Sequence, residues 1–371
     1  IAQCLVGSEM CIRDRIKYFI DKLYSINSLS FDELLYLIEN IDNEEYNFEQ
    51  NLRNYLYKQA SDMRNKHYGN RVYLRGLIEL TNYCKNNCYY CGIQSSNKNI
   101  IRYRLSLDEI LECCDIGYKI GYRTFVLQGG EDAYFTDDKI CEIVSSIKNK
   151  YEDCAITLSL GEKSYDSYKK YFLCGADRYL LRHETATDSH YKKLHPPNIE
   201  LRTRKECLKN LKEIGYQVGA GFMVESPFQN NEDLVRDLLY LKELNPHMVG
   251  IGPFIPHHDT IFKDYKHGDL EKTLLMLSIT RLLLPKVLLP ATTALASINP
   301  SGRNAGLLAG CNVIMPNLSP QEFRKQYSLY DNKAFTGQEA CEYHQSLEEN
   351  IKSLGLEVDY SRGDNIEWRR L

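Results

Sequence analysis

The sequence predicts an α/β protein built as a full (β/α)8 TIM barrel, with an N-terminal helical extension and a short C-terminal segment. Three observations predict it. Eight strand-like runs alternate with helix-like runs, which implies parallel strands joined by crossover helices. Polar and unusual residues gather at the C-terminal ends of those runs, the face on which barrels build their active sites. The first run leads directly into three closely spaced cysteines, Cys84, Cys88 and Cys91. A doubly wound open sheet is the alternative architecture.

Residues 1–15 do not begin with Met and lack the basic start and apolar core of a signal peptide. They are expected to be a non-native leader. Residues 16–69 read as a helical extension, where Phe31, Leu34, Leu35 and Ile38 recur at helix spacing behind the capping residue Ser30. The barrel is expected over 70–330. Its strands are predicted at 72–81, 124–128, 155–160, 178–183, 217–224, 248–254, 287–292 and 312–315. Its helices are predicted at 107–118, 137–150, 165–173, 203–214, 231–244, 270–284 and 302–309. The first of these puts Leu107, Ile110, Leu111 and Cys114 on one face. Residues 331–371 remain as a C-terminal segment.

Of the 371 residues, 43% are hydrophobic and 26% charged, the balance of an ordinary globular protein. The net charge of −4 and the absence of a basic stretch argue against a nucleic-acid partner. No run approaches eighteen apolar residues, which argues against a membrane span. Thirteen cysteines without a secretory signal suggest reduced thiols in a reducing, cytoplasmic setting. A monomer is expected.

The cysteines follow a C-x3-C-x2-C spacing. Thiolates this close can wrap one iron–sulfur cluster. Three ligands satisfy three irons of a 4Fe–4S cube and leave the fourth open to a chelating small molecule. The amine and carboxylate of S-adenosylmethionine (SAM) suit that vacancy, and one electron then splits its sulfonium to a 5'-deoxyadenosyl radical. Zinc competes for such a motif, but a structural zinc site needs four ligands. Cys113 and Cys114, the next cysteines, fall on a predicted helix as core and surface neighbours.

Other motifs sit at strand ends. Gly129-Gly130-Glu131 by itself reads as a βα turn. After the second strand its glycines let backbone approach a ligand, and carbonyls or Glu131 can take the hydrogens of an amino group. Arg178, Arg182 and Glu184 alternate along one strand and so share a side. Facing inward they would clamp an anion; the competing reading is a structural salt-bridge network. His183 points the other way, as a structural histidine between layers. His257 and His258 read as solvated loop residues rather than a metal site.

These residues resemble a known family. Cys84 to Cys91 matches the radical SAM signature. The runs 75–79, 127–132, 157–162, 177–185, 249–257, 290–294 and 312–317 are similar to the HydE family of FeFe-hydrogenase maturases. Biotin synthase and methylornithine synthase are nearby in style. The resemblance covers the chain from about Ile16 to its end. It implies a 4Fe–4S cluster on Cys84, Cys88 and Cys91. It implies SAM held by Tyr90, Gln128, Gly129, Gly130, Glu184, Arg204 and Met315. It further implies an anion-binding interior of Arg75, Thr157, Arg178, Arg182, Thr292, Thr293 and Tyr330. The substrate implied is a small, anionic, cysteine-derived iron carbonyl–cyanide species, with companion hydrogenase maturases as partners. A mutase acting on a small amino acid, like methylornithine synthase, is the alternative activity. Many members of the family carry a second cysteine group near the C-terminus. Here only Cys341 remains, near His344, so no accessory cluster is expected.

Overall fold

The computed structural model describes residues 12–42, 51–334 and 340–370, with side chains throughout except at 340–343. Of the expected leader, residues 1–11 lie outside the described residues. Ile12 opens the first helix, Ile12–Ile26, which continues through Phe31–Asn40 and Leu52–Tyr68 as the N-terminal extension. Ser30 starts the second helix as predicted. Its hydroxyl accepts from the Glu33 N–H while the Glu33 carboxylate accepts from the Ser30 N–H, so each satisfies an otherwise unpaired donor of the helix start. The stripe Leu34, Leu37 and Ile38 is then buried.

The first barrel strand has two pieces, Arg71–Leu74 and Gly76–Thr81. Gly76–Thr81 begins a parallel sheet that continues through Thr124–Gly129, Ala155–Ser159, Arg178–Leu180, Gln217–Ala220 and Met248–Val249. Single parallel bridges then carry the circuit round: Met248 to Leu288, Pro290 to Val313, and Leu77 to Asn317. Val313–Ile314 also pairs with Arg71–Leu74. The sheet closes on itself, which decides for the barrel over the open sheet. The seventh strand shrinks to bridges because Pro290 has no N–H to donate to a ladder. Helices Leu107–Lys119, Asp137–Lys150, Tyr165–Leu173, Leu201–Ile214, Asn231–Leu244, Leu270–Leu283 and Gly302–Leu308 lie between the strands. Among the described residues no helix is long and apolar enough to cross a membrane.

The C-terminal segment closes the floor of the barrel. Glu357–Asp359 adds a parallel strand to Arg71–Leu74. The chain then runs beneath the N-terminal ends of the strands. Asp364 accepts from Arg178 at 2.7 Å and from Gln217 at 2.6 Å. The Asn365 amide bonds the carbonyls of His247 and Lys286, and the Trp368 indole donates to Gly215 at 2.8 Å. Arg75 is fully buried on this floor, where it donates to the Gly363 carbonyl. Burial and the neighbouring Arg178 push its guanidinium well below the usual value.

This corrects two expectations. The strand predicted at 178–183 is only Arg178–Leu180, so Arg178 opens it and Arg182 lies beyond its end, four residues on and about 13 Å further along the barrel for an extended chain. Arg178 lies at the floor, already paired with Asp364, and Arg75 lies there with it. Neither reaches the mouth. Burial alone would raise the Asp364 carboxyl, but Arg178 and Arg362 overcome it and hold it at about 2. A depressed carboxylate stabilises the fold above its unfolded value and loses that contribution as pH falls toward 2. Asp364→Asn strands the buried Arg178 charge and is expected to cost about 3 kcal/mol, read as a lower midpoint in urea at neutral pH. The difference from wild type should shrink in acid.

The cysteines bring two further corrections. Cys113 and Cys114 are both buried, because the helix Leu107–Lys119 is wedged between sheet and neighbouring helices. The expectation of uniformly reduced thiols fails at Cys141 and Cys174. These form a disulfide with a Cα–Cα distance of 5.5 Å, where the helices Asp137–Lys150 and Tyr165–Leu173 lie side by side. Eight other described cysteines are free.

Candidate active site

The first strand ends at Thr81 and releases a long loop without regular structure that carries the three cysteines. Two side chains give it shape. Asn82 donates to the carbonyls of Ile101 and Gln326, both at 2.8 Å, and accepts from the Tyr103 N–H. Arg102 gathers the carbonyls of Ile93, Gln94 and Asn97 at 2.8, 2.6 and 3.1 Å, and that of Asn82. One guanidinium thus satisfies the inward-turned backbone of the whole loop.

The cysteines are half-buried on the inner side of this loop. Burial raises each thiol, and for Cys88 and Cys91 the neighbouring sulfurs raise it further: Cys88 well above its usual range, Cys91 to about 12. Three thiolates cannot coexist here without a cation or cluster to carry their charge. Gly130 explains why the second strand ends in paired glycines. A Cβ on Gly130 would lie 2.2 Å from the Tyr83 carbonyl oxygen and 2.7 Å from the Cys84 Cβ. Gly130→Ala should displace Cys84. Iron content after anaerobic reconstitution is expected to fall several-fold, with an overpacking cost of about 1–3 kcal/mol.

Glu131 has a different use from the one anticipated. Its carboxylate accepts from the Glu162 N–H at 3.0 Å and pairs with Lys85 at 3.2 Å. It ties two loops together. The carbonyls of Gly129 and Gly130 remain at the loop edge.

Below the cysteines the barrel interior is polar. Arg182 Nη2 lies 3.0 Å from Glu184 Oε2. Glu184 has φ of +65°, a conformation that costs free energy for a residue with a side chain and that points its carboxylate into the mouth. Arg204 donates to the Arg182 carbonyl at 2.8 Å and pairs with Glu162. Gln128 donates to the Tyr327 hydroxyl at 3.2 Å. Thr292 precedes the helix Thr293–Ile298 and its hydroxyl donates to the Ile251 carbonyl, and Thr293 lines a small recess with Met315, Asn317, Arg303 and Lys333. Burial raises Tyr330 to about 12, with Glu79 and Arg182 among its charged neighbours, so its phenol stays protonated. Buried polar atoms without a partner include Arg182 Nε in this chamber and Thr157 Oγ1 lower down, on the strand residue paired with Arg178. Buried polar groups are seldom left so, and a bound polar ligand would satisfy them. The set therefore fits a charged, chelating cofactor beside the cysteines.

Tyr90 is held from behind. The His195 Nδ1–H donates to the Tyr191 carbonyl, which leaves Nε2 to accept from the Tyr90 hydroxyl at 3.2 Å. Burial lowers His195 to about 3, so it stays neutral and keeps that role. Tyr191 stacks on His195, contacts the Cys88 cluster of side chains, and has a buried hydroxyl without a partner.

Several residues here were not anticipated: Glu79, Glu162, Tyr191, His195, Tyr327 and Lys333. Glu79 is fully buried, accepts from Asn317 Nδ2 at 2.9 Å and pairs with Lys333. Alternation along the first strand, with Glu79 between Leu77 and Thr81, was the available signal. Lys333 belongs to a strap over the mouth: Gly92 N–H bonds the Leu329 carbonyl, Asp331 N–H that of Pro256, and Ala334 N–H the Ser297 hydroxyl.

His183 bonds Asp237 at 3.2 Å between strand and helix, as a structural histidine. His258 is exposed, but His257 is buried and stacked on it. With Asp331 they form a trio whose ligand atoms lie within 4.8 Å. His257 Nδ1 accepts from the Asp259 N–H, so its proton sits on Nε2, the nitrogen toward Asp331. That tautomer leaves no lone pair on Nε2 for a metal, and burial lowers the imidazole, so His257 faces Asp331 as a neutral ring. His344 bonds Tyr122 and Tyr360 through its two ring nitrogens. The side chain of Cys341 lies outside the described residues.

The radical SAM superfamily model matches residues 78–241, the span from the first strand to the fifth barrel helix. The [FeFe] hydrogenase maturase subunit HydE of Thermotoga maritima is 48% identical over 288 residues, 77% of this chain and 82% of that one. The 3-methylornithine synthase of Methanosarcina acetivorans is 30% identical over 304 residues, 81% of this chain and 84% of that one. Among solved structures, methylornithine synthase superposes with a TM-score of 0.78 at 25% identity, covering 92% of this chain and 97% of that one. The hydrogenase maturase HydG superposes at 0.76 with 19% identity, covering 94% and 78%, a likeness of fold. A closed barrel with three loop cysteines over a polar mouth is the architecture of a radical SAM enzyme, and this chain is one. Within that class it belongs to the HydE family of [FeFe]-hydrogenase maturases.

Proposed function

We propose that the protein acts in FeFe-hydrogenase maturation, with a 4Fe–4S cluster on Cys84, Cys88 and Cys91 and SAM beside it. The observation that carries this reading is the coincidence of three thiols needing a compensating cation with unpartnered buried polar atoms just below them. When bound, the cluster and SAM supply one-electron cleavage of the sulfonium to a 5'-deoxyadenosyl radical.

The chain's own residues bind, orient and exclude water. Arg204, braced by Glu162, pairs with a carboxylate. Glu184 accepts from an amine or ribose hydroxyl, Gln128 adds an amide, and Met315 offers a polarisable face to adenine. Tyr90, fixed by His195, packs beside them. Further in, Arg182 faces an anionic, cysteine-derived substrate with Thr157, Thr292, Thr293 and Tyr330, whose protonated phenol donates. The strap over the mouth keeps reactive intermediates from solvent. Arg75 and Arg178 contribute to the floor and not to this chamber. Companion maturases supply the substrate and receive the product.

The test is direct. Reconstituted, dithionite-reduced protein is expected to convert SAM to 5'-deoxyadenosine and methionine. Protein holding zinc, without iron or sulfide, would overturn the reading. A small-amino-acid mutase remains the second reading, favoured by the barrel it shares with methylornithine synthase.

A further inference from the structure

Two of the three cysteine sulfurs already have hydrogen-bond donors. The Glu131 N–H donates to Cys84 at 3.4 Å, and the Asn86 N–H serves the same sulfur. The Ile93 N–H serves Cys91. Among the described residues no donor is seated on Cys88. A thiolate that holds a cluster carries negative charge, and hydrogen bonds to it help to set the cluster's potential.

A donor without a use lies in the same group of side chains. Tyr191 is fully buried, and its hydroxyl has no partner. A buried hydroxyl left so is destabilising and needs a reason. The charged groups around it are Arg204, Glu162, Cys88 and Glu184. Arg204 offers only donors. The two carboxylates are held elsewhere, Glu162 by Arg204 and Glu184 by Arg182. Cys88 is the acceptor among them that no other side chain holds.

The fold fixes Tyr191 relative to Cys88. Tyr191 lies on the short helix Asp188–Leu194, whose last carbonyl accepts from the N–H of Tyr89, the residue after Cys88, at 3.0 Å. The Tyr191 carbonyl takes the His195 Nδ1–H at 3.0 Å, and the two rings stack with centroids 3.9 Å apart and planes 17° from parallel. His195 in turn holds the Tyr90 hydroxyl. Cys88 packs against the cluster of Tyr191, Ile199 and Leu201. Helix and cysteine loop are therefore tied on both sides of this contact, and the phenol cannot swing away without breaking its stack.

We propose that the Tyr191 hydroxyl is the hydrogen-bond donor to the Cys88 thiolate when the cluster is in place, and that it tunes the cluster to a less negative reduction potential. The inference rests on the cluster reading above. The phenol keeps its proton throughout, and no covalent bond changes. A donor to sulfur stabilises the reduced, more negative cluster more than the oxidised one, because hydrogen bonds strengthen with the charge of the acceptor. The unpartnered hydroxyl of the empty site is then a group preorganised for the loaded one.

The experiment compares the full chain with Tyr191→Phe, which keeps the ring and its stack and removes only the hydroxyl. Thermal unfolding is followed on both apo proteins. Both reconstituted proteins are titrated anaerobically without SAM, with the reduced cluster read by EPR. Electron–nuclear double resonance of the reduced clusters is recorded in H2O and D2O. Apo Tyr191→Phe should unfold at the temperature of apo wild type or above it, because a buried hydroxyl without a partner has been removed. Its cluster should be harder to reduce: the ratio of reduced to oxidised protein at a fixed potential should fall about ten-fold, a shift of about 59 mV for one electron. The wild-type cluster should also couple to one exchangeable proton that the variant lacks. A variant with the wild-type potential and the wild-type exchangeable-proton spectrum overturns the proposal. A marked fall in apo stability also overturns it, because Tyr191 would then be a structural residue. Wild type that assembles neither iron nor sulfide overturns the cluster reading itself, and this proposal with it.

Discussion

Cys84→Ala, Cys88→Ala and Cys91→Ala are each expected to abolish iron–sulfur absorption and SAM cleavage together, leaving only background 5'-deoxyadenosine. The loss should be complete because a three-ligand site has no spare donor: removing one thiolate removes most of the binding free energy, which is shared across the set. The fold should survive. The loop is shaped by Asn82 and Arg102, whose partners are backbone groups, and the Cys84 thiol adds one weak bond, accepted from the Glu131 N–H at 3.4 Å. Thermal unfolding of each apo variant should therefore stay close to that of apo wild type. Retention of stoichiometric iron and sulfide in any one variant would show that the ligands lie elsewhere.

Arg182→Leu is expected to spare the cluster and SAM binding while reducing hydrogenase maturation by at least about 100-fold, the usual loss when a preorganised electrostatic donor is removed. The side chain lies beside Glu184 but keeps Nε without a protein partner, so its second function is directed into the chamber. Arg182→Lys retains the charge without the paired donors and should recover only part of the activity. A variant that matures hydrogenase normally would remove Arg182 from the substrate site.

Much of the barrel was legible because its local signals agree. The helices Asp137–Lys150, Tyr165–Leu173 and Asn231–Leu244 match their predicted limits. Each begins at a residue that caps its own first turn, Thr136, Ser164 and Asn230. The cysteine spacing was equally local. What could not be read was height within the barrel. Arg178 and Arg182 look equivalent by alternation, and only the C-terminal chain, returning from 186 residues away to offer Asp364, separates floor from mouth. Tyr90 lies between the second and third cysteines in the sequence, yet its support by His195 crosses 105 residues. Glu79 with Lys333 spans 254. Such pairs depend on closure of the sheet, and no local pattern encodes them.

The central claim is that this chain matures FeFe-hydrogenase, and one measurement tests it most directly. Apo-hydrogenase is incubated anaerobically with the companion maturases, SAM and reductant, with and without the reconstituted protein, and hydrogen evolution is followed. The account predicts activity that depends on this protein and disappears with Cys88→Ala. Hydrogen evolution unchanged by its omission, alongside conversion of lysine to methylornithine by the same preparation, would contradict it.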